Sequence, residues 1–208
     1  MIKLLTIGDS HLPRRAKSIP DQIIKKLEQL VEIEKFDYTF FTGDIVNAPK
    51  FMNFLSLITK KNLFVVIGNM DYYGGNRDAP VYQNLNISME NNDDLIIGLT
   101  HGHQVSPRGD RSQLELIAIE KSFNILISGH THKEEIFLQK DILLLNPGSV
   151  TGAWSFVASG NPSFITLNII EKTREINVVL HQYDIKATKL KDLKSYFVFE
   201  NNNIRHKY

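Results

Sequence analysis

Five times along this chain a short apolar run stops at a small residue and hands over at once to Asp, Asn or His. Residues 2–7 run into Gly8-Asp9, 38–41 into Thr42-Gly43-Asp44, and 63–67 into Gly68-Asn69. Residues 95–99 run into Thr100-His101, and 125–127 into Ser128-Gly129-His130. Apolar runs of this length bounded by turn residues read as buried strands. Helical patterns lie between the first of them. Ile23, Ile24, Leu27, Leu30 and Val31 recur at helical spacing after Pro20, which suits a first turn, and Phe51, Phe54, Leu55 and Ile58 repeat the pattern. Sheets of this α/β kind bind ligands beyond the carboxyl ends of their strands. The five polar stops are therefore expected along one edge.

The second half reads as more β than α. Residues 143–145 lead into Asn146-Pro147-Gly148-Ser149, a turn expected to shape the second sheet, and strand-like runs follow at 163–170 and 176–183. Residues 185–208 are read as a peripheral strand with a frayed tail, Asn201-Asn202-Asn203 being a turn or disordered segment, and Tyr72-Tyr73-Gly74-Gly75 as a turn. Neither an internal repeat nor a linker divides the sequence, so 1–208 is expected to be one domain. A chain of 208 residues can bury one good-sized core. With 24 basic and 23 acidic residues, a global electrostatic case for nucleic acid or anionic membrane fails. The absence of cysteine excludes disulfides, thiolate metal sites and a cysteine nucleophile. Without a signal-like or membrane-spanning segment, the expected location is cytoplasmic.

Five of the seven histidines fall in Asp9-x-His11, His101-Gly102-His103 and His130-Thr131-His132. Mixed Asp, Asn and His donors suit Mn, Zn, Fe or Ni. Two such ions about 3.5–4 Å apart need a bridging carboxylate and a half-shell of ligands each. Asp9, His11, Asp44, Asn69, His101, His130 and His132 supply that number.

The blocks GDSH, TGD, GNMD, THGH and SGHTH resemble the signature of the calcineurin-like metallophosphoesterase superfamily. The resemblance implies a four-layer α-β-β-α sandwich with a di-metal site at the strand ends. Asp9, His11, Asp44 and His132 would surround one ion, and Asp44, Asn69, His101 and His130 the other, with Asp44 bridging. Over nearly the whole chain, GDSHLPRRAKSIP, HGHQVSPRGD, ILISGHTHK, NPGSVTGA and Pro162-Ser163-Phe164 are similar to one branch, the metallophosphoesterase-like small subunit of retromer (the vacuolar protein sorting 29 family). That branch implies a scaffold for endosomal sorting and retrograde transport. Its metal-side face docks a helical-solenoid subunit, and it meets endosomal membranes only through the complex. Leu12, Pro13, Ile45, Val46, Met70, Tyr72, Val105 and Trp154 are the expected rim contacts. A second, apolar pocket on the opposite face would take regulatory proteins, and Lys3 and His181 fall near it where apolar residues would be expected.

Two departures set the alternatives. Active phosphomonoesterases of the superfamily carry a histidine after Gly-Asn, and Met70 stands there; a thioether is no acid or base at neutral pH. Conversely, Asp44 and Asn69 are both kept, whereas the animal retromer subunit has lost polar ligands at these positions. The second reading is accordingly a divalent-metal phosphodiesterase with weak activity and no assigned general acid. Asn69 and His103 would steady phosphate oxygens there, unless His103 only hydrogen-bonds Asp9 or a ligand. Arg14, Arg15, Lys17, Arg108 and Arg111 either flank the pocket or are solvated loop charges.

Overall fold

The computed structural model describes residues 1–90 and 93–207. The first half runs β1 (Ile2–Ile7), α1 (Asp21–Val31), β2 (Phe36–Phe41), α2 (Pro49–Leu57), β3 (Thr59–Val65), α3 (Asn69–Tyr73), β4 (Tyr82–Ser88) and β5 (Asp94–Thr100). The second runs α4 (Arg111–Glu120), β6 (Ile125–Ile127), β7 (Glu135–Gln139), β8 (Ile142–Asn146), β9 (Ser163–Ile170), β10 (Glu175–Asp184), β11 (Lys189–Glu200) and β12 (Asn203–His206). The strands form a seven-stranded sheet, ordered β12-β11-β10-β9-β1-β2-β3, and a five-stranded one, ordered β4-β5-β6-β8-β7. β1, β2 and β3 are mutually parallel, as are β5, β6 and β8.

Alternation along β1 shows why its sequence is a continuous apolar run. Successive side chains point to opposite faces of a sheet, and here both faces are covered. Leu4 packs between the sheets with Phe40, Ile97, Ile127, Leu145 and Leu167. Leu5 and Ile7 pack outward against Ile23, Leu27 and Phe51 of α1 and α2. The second sheet repeats the arrangement, with Leu126 and Leu144 meeting Leu114 and Ala118 of α4. The layers are thus α-β-β-α, as the sequence implied. Each such buried aliphatic side chain is worth roughly 1.5–3 kcal/mol.

Four features differ from the sequence reading. α4 was not anticipated, because its apolar residues do not keep to one face: Leu114 and Ala118 are buried while Leu116 and Ile119 are exposed. β4 and β7 were also missed, their residues being largely half-buried or exposed. Tyr72 and Tyr73 end α3 rather than forming a turn, and Gly75 with φ 91° makes the reversal after it. Residues 203–206, expected to fray, pair with β11 as β12. Asn201 and Asn202, with φ 50° and 62°, form the two-residue turn between them, the left-handed pair a tight hairpin requires. Ile204 is then fully buried against the inter-sheet core.

Candidate metal centre

The five polar stops converge. Asp9 and His11 follow β1, Asp44 follows β2, Asn69 lies beyond β3, His101 follows β5, and His130 and His132 follow β6. Five of these seven residues take left-handed backbone: Asp9 and His11 at φ 49°, Asp44 at 55°, His130 at 68° and His132 at 58°. Such conformations cost residues with a Cβ about 1–2 kcal/mol each and concentrate at functional sites. Close approach demands glycine beside them. A Cβ on Gly68 would sit 2.0 Å from Asp44 Oδ1, and one on Gly129 would sit 2.5 Å from Asp9 Oδ2.

Donor atoms of Asp9, His11, Asp44 and His132 all lie within 4.8 Å of one another. Asp44 Oδ2 stands 3.4 Å from His11 Nε2 and 3.5 Å from His101 Nε2, so a single oxygen faces both halves of the expected ligand set. His101 Nε2 is 3.2 Å from Asn69 Oδ1. The His130 ring packs edge-on to His101 with centroids 5.0 Å apart.

The donor chemistry fits cations. His132 Nδ1–H donates to Ala153 O at 2.9 Å, and His101 Nδ1–H donates to Thr42 O at 2.7 Å. In the neutral ring each then presents an Nε2 lone pair to the centre. For His132 that lone pair meets His11 Nε2 at 2.9 Å; for His101 it meets the Asn69 carbonyl oxygen. These close approaches gather nitrogen and oxygen donor atoms around one point, as a cation requires. Asp9 Oδ1 and His11 Nδ1 are buried without a hydrogen-bond partner among the described residues. Such orphaned groups are costly in a folded interior unless something else satisfies them.

Electrostatics prepares the same donors. Burial pushes the His11 and His130 imidazoles down to about 3, leaving both neutral at physiological pH. Burial opposes charge on Asp9, yet His132, His101 and His11 hold its carboxyl well below the usual range. Burial, aided by the like charge of Asp9, pushes Asp44 up to about 6 against the pull of His101. Burial also disfavours charge on His132, but Asp9 and the Ala153 carbonyl outweigh it and raise that imidazole.

Residues outside the expected ligand set hold this constellation, and of these the sequence reading passed over Asp71. Asp71 is buried, and its Oδ2 accepts from Asp44 N at 2.7 Å and Gly68 N at 3.1 Å while its Oδ1 accepts from Val46 N at 2.8 Å. Ser149 Oγ donates to Asp9 O at 2.7 Å and accepts from Ala153 N at 2.9 Å. Asn146 Nδ2 donates to Gly129 O and Thr131 Oγ1, each at 3.0 Å. The Asn-Pro-Gly-Ser turn therefore braces two ligand loops. Met70 contributes its backbone, whose N–H donates to Asp44 Oδ1 at 2.8 Å. His103 is exposed at the mouth, its ring centroid 5.5 Å from His101 and 6.3 Å from His130.

The rim separates into two groups. Trp154 and Tyr72 are 66% and 48% exposed, Pro13 is exposed, and Ile45, Val46 and Met70 are half-buried. Leu12 and Val105 do not belong with them. Leu12 bridges to Val46 and packs into the core under α1, and Val105 packs with Leu114 and Phe123. Both are apolar loop residues folded inward, 8% and 3% exposed. Lys3 Nζ, at the start of β1, donates to the carbonyls of Leu30 and Glu34, and His181, level with the end of β1, is buried against Phe164.

Residues 2–172 match the calcineurin-like phosphoesterase superfamily domain. A stretch of 145 residues, 70% of the chain, is 37% identical to a probable metallophosphoesterase of Methanocaldococcus jannaschii and spans 66% of that protein's length. Vacuolar protein sorting 29 of Cryptosporidium parvum superposes with a TM-score of 0.76 at 30% identity, over 95% of this chain and 98% of that one. The zinc complex of the Entamoeba histolytica sorting protein of the same name gives 0.77 at 29% identity, over 93% and 99%. The matched domain takes in every strand end at which the buried Asp and His side chains meet, and the chain belongs to the calcineurin-like phosphoesterase superfamily.

Proposed function

We propose that this protein is a retromer-type scaffold subunit for endosomal sorting, one that docks the end of a helical-solenoid partner and keeps a di-metal centre. The observation that carries the reading is its likeness, over nearly its whole length, to two vacuolar protein sorting 29 proteins. Exposed Trp154, Tyr72 and Pro13, with half-buried Ile45, Val46 and Met70, would be the apolar contacts such docking uses at an interface core. The place of work is the cytoplasmic side of the endosome, reached through the complex. A regulator on the opposite face would meet Lys3 and the buried His181 in place of an open apolar pocket.

Asp9, His11, Asp44 and His132 would hold one divalent ion, and Asp44, Asn69, His101 and His130 the second. When bound, such a pair supplies an activated water and a clamp for phosphoryl oxygens. The neutral His11 and His130 accept a cation without first losing a proton. Asp71, Ser149 and Asn146 fix the loops, so the ligands need little rearrangement on binding.

A second reading, a weak metal-dependent phosphodiesterase, is favoured by the same complete ligand set. Asn69 and His103 would steady substrate oxygens, and Met70 supplies no proton to a leaving group. A poor leaving group then departs unaided, which restricts such an enzyme to activated diesters. The deciding experiment loads the full chain with manganese and offers it an aryl phosphodiester and, separately, a purified retromer solenoid subunit. Solenoid binding without turnover, with metal still bound by elemental analysis, supports the scaffold. Manganese-dependent turnover that vanishes in Asp44→Ala, without solenoid binding, makes the esterase reading primary.

A further inference from the structure

Arg108 and Lys133, two exposed cations on loops, line a common cleft beside the metal centre. The cleft has a volume of about 390 Å³ and opens between the start of α4 and the loop after β6. That places it toward the lower end of small-molecule pockets, roughly 300–1,000 Å³. The charges around it do not cancel. Arg111 is paired with Glu135 at 2.6 Å, and the Asp110 carboxylate accepts from Gln113 N at 2.9 Å as the cap of α4. Arg108 and Lys133 have no carboxylate partner among the described residues.

The floor of the cleft combines buried Leu144 and Leu145 with the polar Ser128, Thr131 and Asn146. Ser128 is 5% exposed, and by the alternation of β6 its side chain follows Leu126 to the α4 side of the sheet. Its backbone N–H donates to Leu145 O, whereas its hydroxyl has no hydrogen-bond partner among the described residues. At the other wall, the Asp110 cap engages Gln113 N and leaves the first N–H groups of the ten-residue α4, those of Arg111 and Ser112, directed at the lining. Thr131, between His130 and His132, forms the partition from the metal centre, and its Oγ1 already accepts from Asn146 Nδ2 and Lys133 N.

We propose that this cleft is a separate anion site that takes a phosphate monoester group, held by Arg108 and Lys133, by the Ser128 hydroxyl at its floor and by the first N–H groups of α4. Arg108, Arg111 and Lys133 outweigh Asp110 and Glu135 in the lining, a net positive charge that favours a monoester, and the hydroxyl and amides supply donors for its remaining oxygens. The ligand is a soluble monoester or the headgroup of a lipid such as phosphatidic acid, the recognition chemistry being the same for both.

The test titrates the full chain, freed of metal with a chelator, with glycerol phosphate while amide resonances are followed by NMR. Saturable shifts centred on Ser112 and Ser128 are expected. Affinity should fall about tenfold or more when Arg108→Ala is combined with Lys133→Ala, and several-fold in Ser128→Ala. A parallel arm measures retention on phosphatidylcholine vesicles with and without phosphatidic acid. Retention that needs phosphatidic acid and is lost in the charge-deleted variant assigns a lipid headgroup. Binding of glycerol phosphate alone assigns a soluble ligand. Shifts centred on Asp9 and Asn69 instead, equal affinity in the charge-deleted variant, or no saturation in either arm would overturn the proposal.

Discussion

The Asp71 carboxylate accepts the backbone N–H of Asp44 at 2.7 Å, tying the residue that faces both halves of the metal centre to a side chain two positions beyond Asn69. The same carboxylate accepts from Val46 N and Gly68 N, so three backbone donors, two of them buried, depend on it. Asp71→Ala is expected to lower stability by about 3 kcal/mol or more, since each donor left unsatisfied costs roughly 1–3 kcal/mol. Metal affinity should fall about 10- to 100-fold, as for other groups that orient ligands. Urea unfolding and zinc titration read the two effects; wild-type affinity in a folded Asp71→Ala chain would remove Asp71 from the positioning role.

Asp44 and Asn69 should differ in how many ions they control. Asp44 Oδ2 faces both His11 and His101, whereas Asn69 faces only His101. Elemental analysis of Asp44→Ala is expected to find neither ion, and of Asn69→Ala to find one. Two ions retained in Asp44→Ala would contradict the shared-ligand assignment.

Rim substitutions are expected to sort by burial. Trp154→Ala or Tyr72→Ala should weaken solenoid binding about tenfold or more while leaving the melting temperature within a few degrees, the behaviour of exposed aromatic anchors. Val105→Asp should instead destabilise the fold by several kcal/mol, because Val105 is 3% exposed and a charge there is buried without a partner. Calorimetry on the free variants separates the two classes. Equal melting of wild type and Val105→Asp would mean that the loop carries Val105 outward.

Acid should weaken the contact between α1 and the outer part of the seven-stranded sheet. His181 Nδ1 donates to Asp192 Oδ1 at 2.7 Å, Thr166 Oγ1 lies 3.0 Å from Nε2, and Lys26 Nζ donates to Asp192 Oδ2 at 2.9 Å. Burial lowers the His181 imidazole below its ordinary value, although Asp192 pulls the other way. Between the unfolded value near ~6.5 and that lowered value, the unfolded chain binds the proton and the folded chain does not. This contribution is full above about 6.5 and is lost as the pH falls through it. Metal-free wild type should therefore lose more stability between about pH 7 and 5.5 than His181→Phe, which keeps the stack on Phe164. Parallel pH profiles for the two chains would rule the contribution out.

The strand ends were legible because the ligands follow short apolar runs, a local pattern of a few residues; those of β1, β2, β5 and β6 are largely buried, whereas β3, before Asn69, is a half-buried edge strand. The rim was less so. Leu12 and Val105 look like exposed loop residues until the fold tucks them under α1 and against Leu114, which no local pattern reveals. Asp71 carried one signal, its place in the block that supplies Asn69, but its role rests on donors 25 and 27 positions away. α4 escaped because Leu116 and Ile119 are apolar yet exposed, so burial does not follow its helical period.

The left-handed backbone at Asp9, His11, Asp44, His130 and His132 makes this centre a part of the molecule that a search for stability alone would erode. Glycine at any of these positions relaxes the chain and removes a donor in the same step. Libraries of this protein screened only for heat resistance should therefore drift toward folds that are sturdier and metal-blind, whereas screening with the ion present holds the donors in place. Thermal tolerance and metal binding are opposed traits at these five residues, and engineering that improves one without assaying the other will lose the second unnoticed.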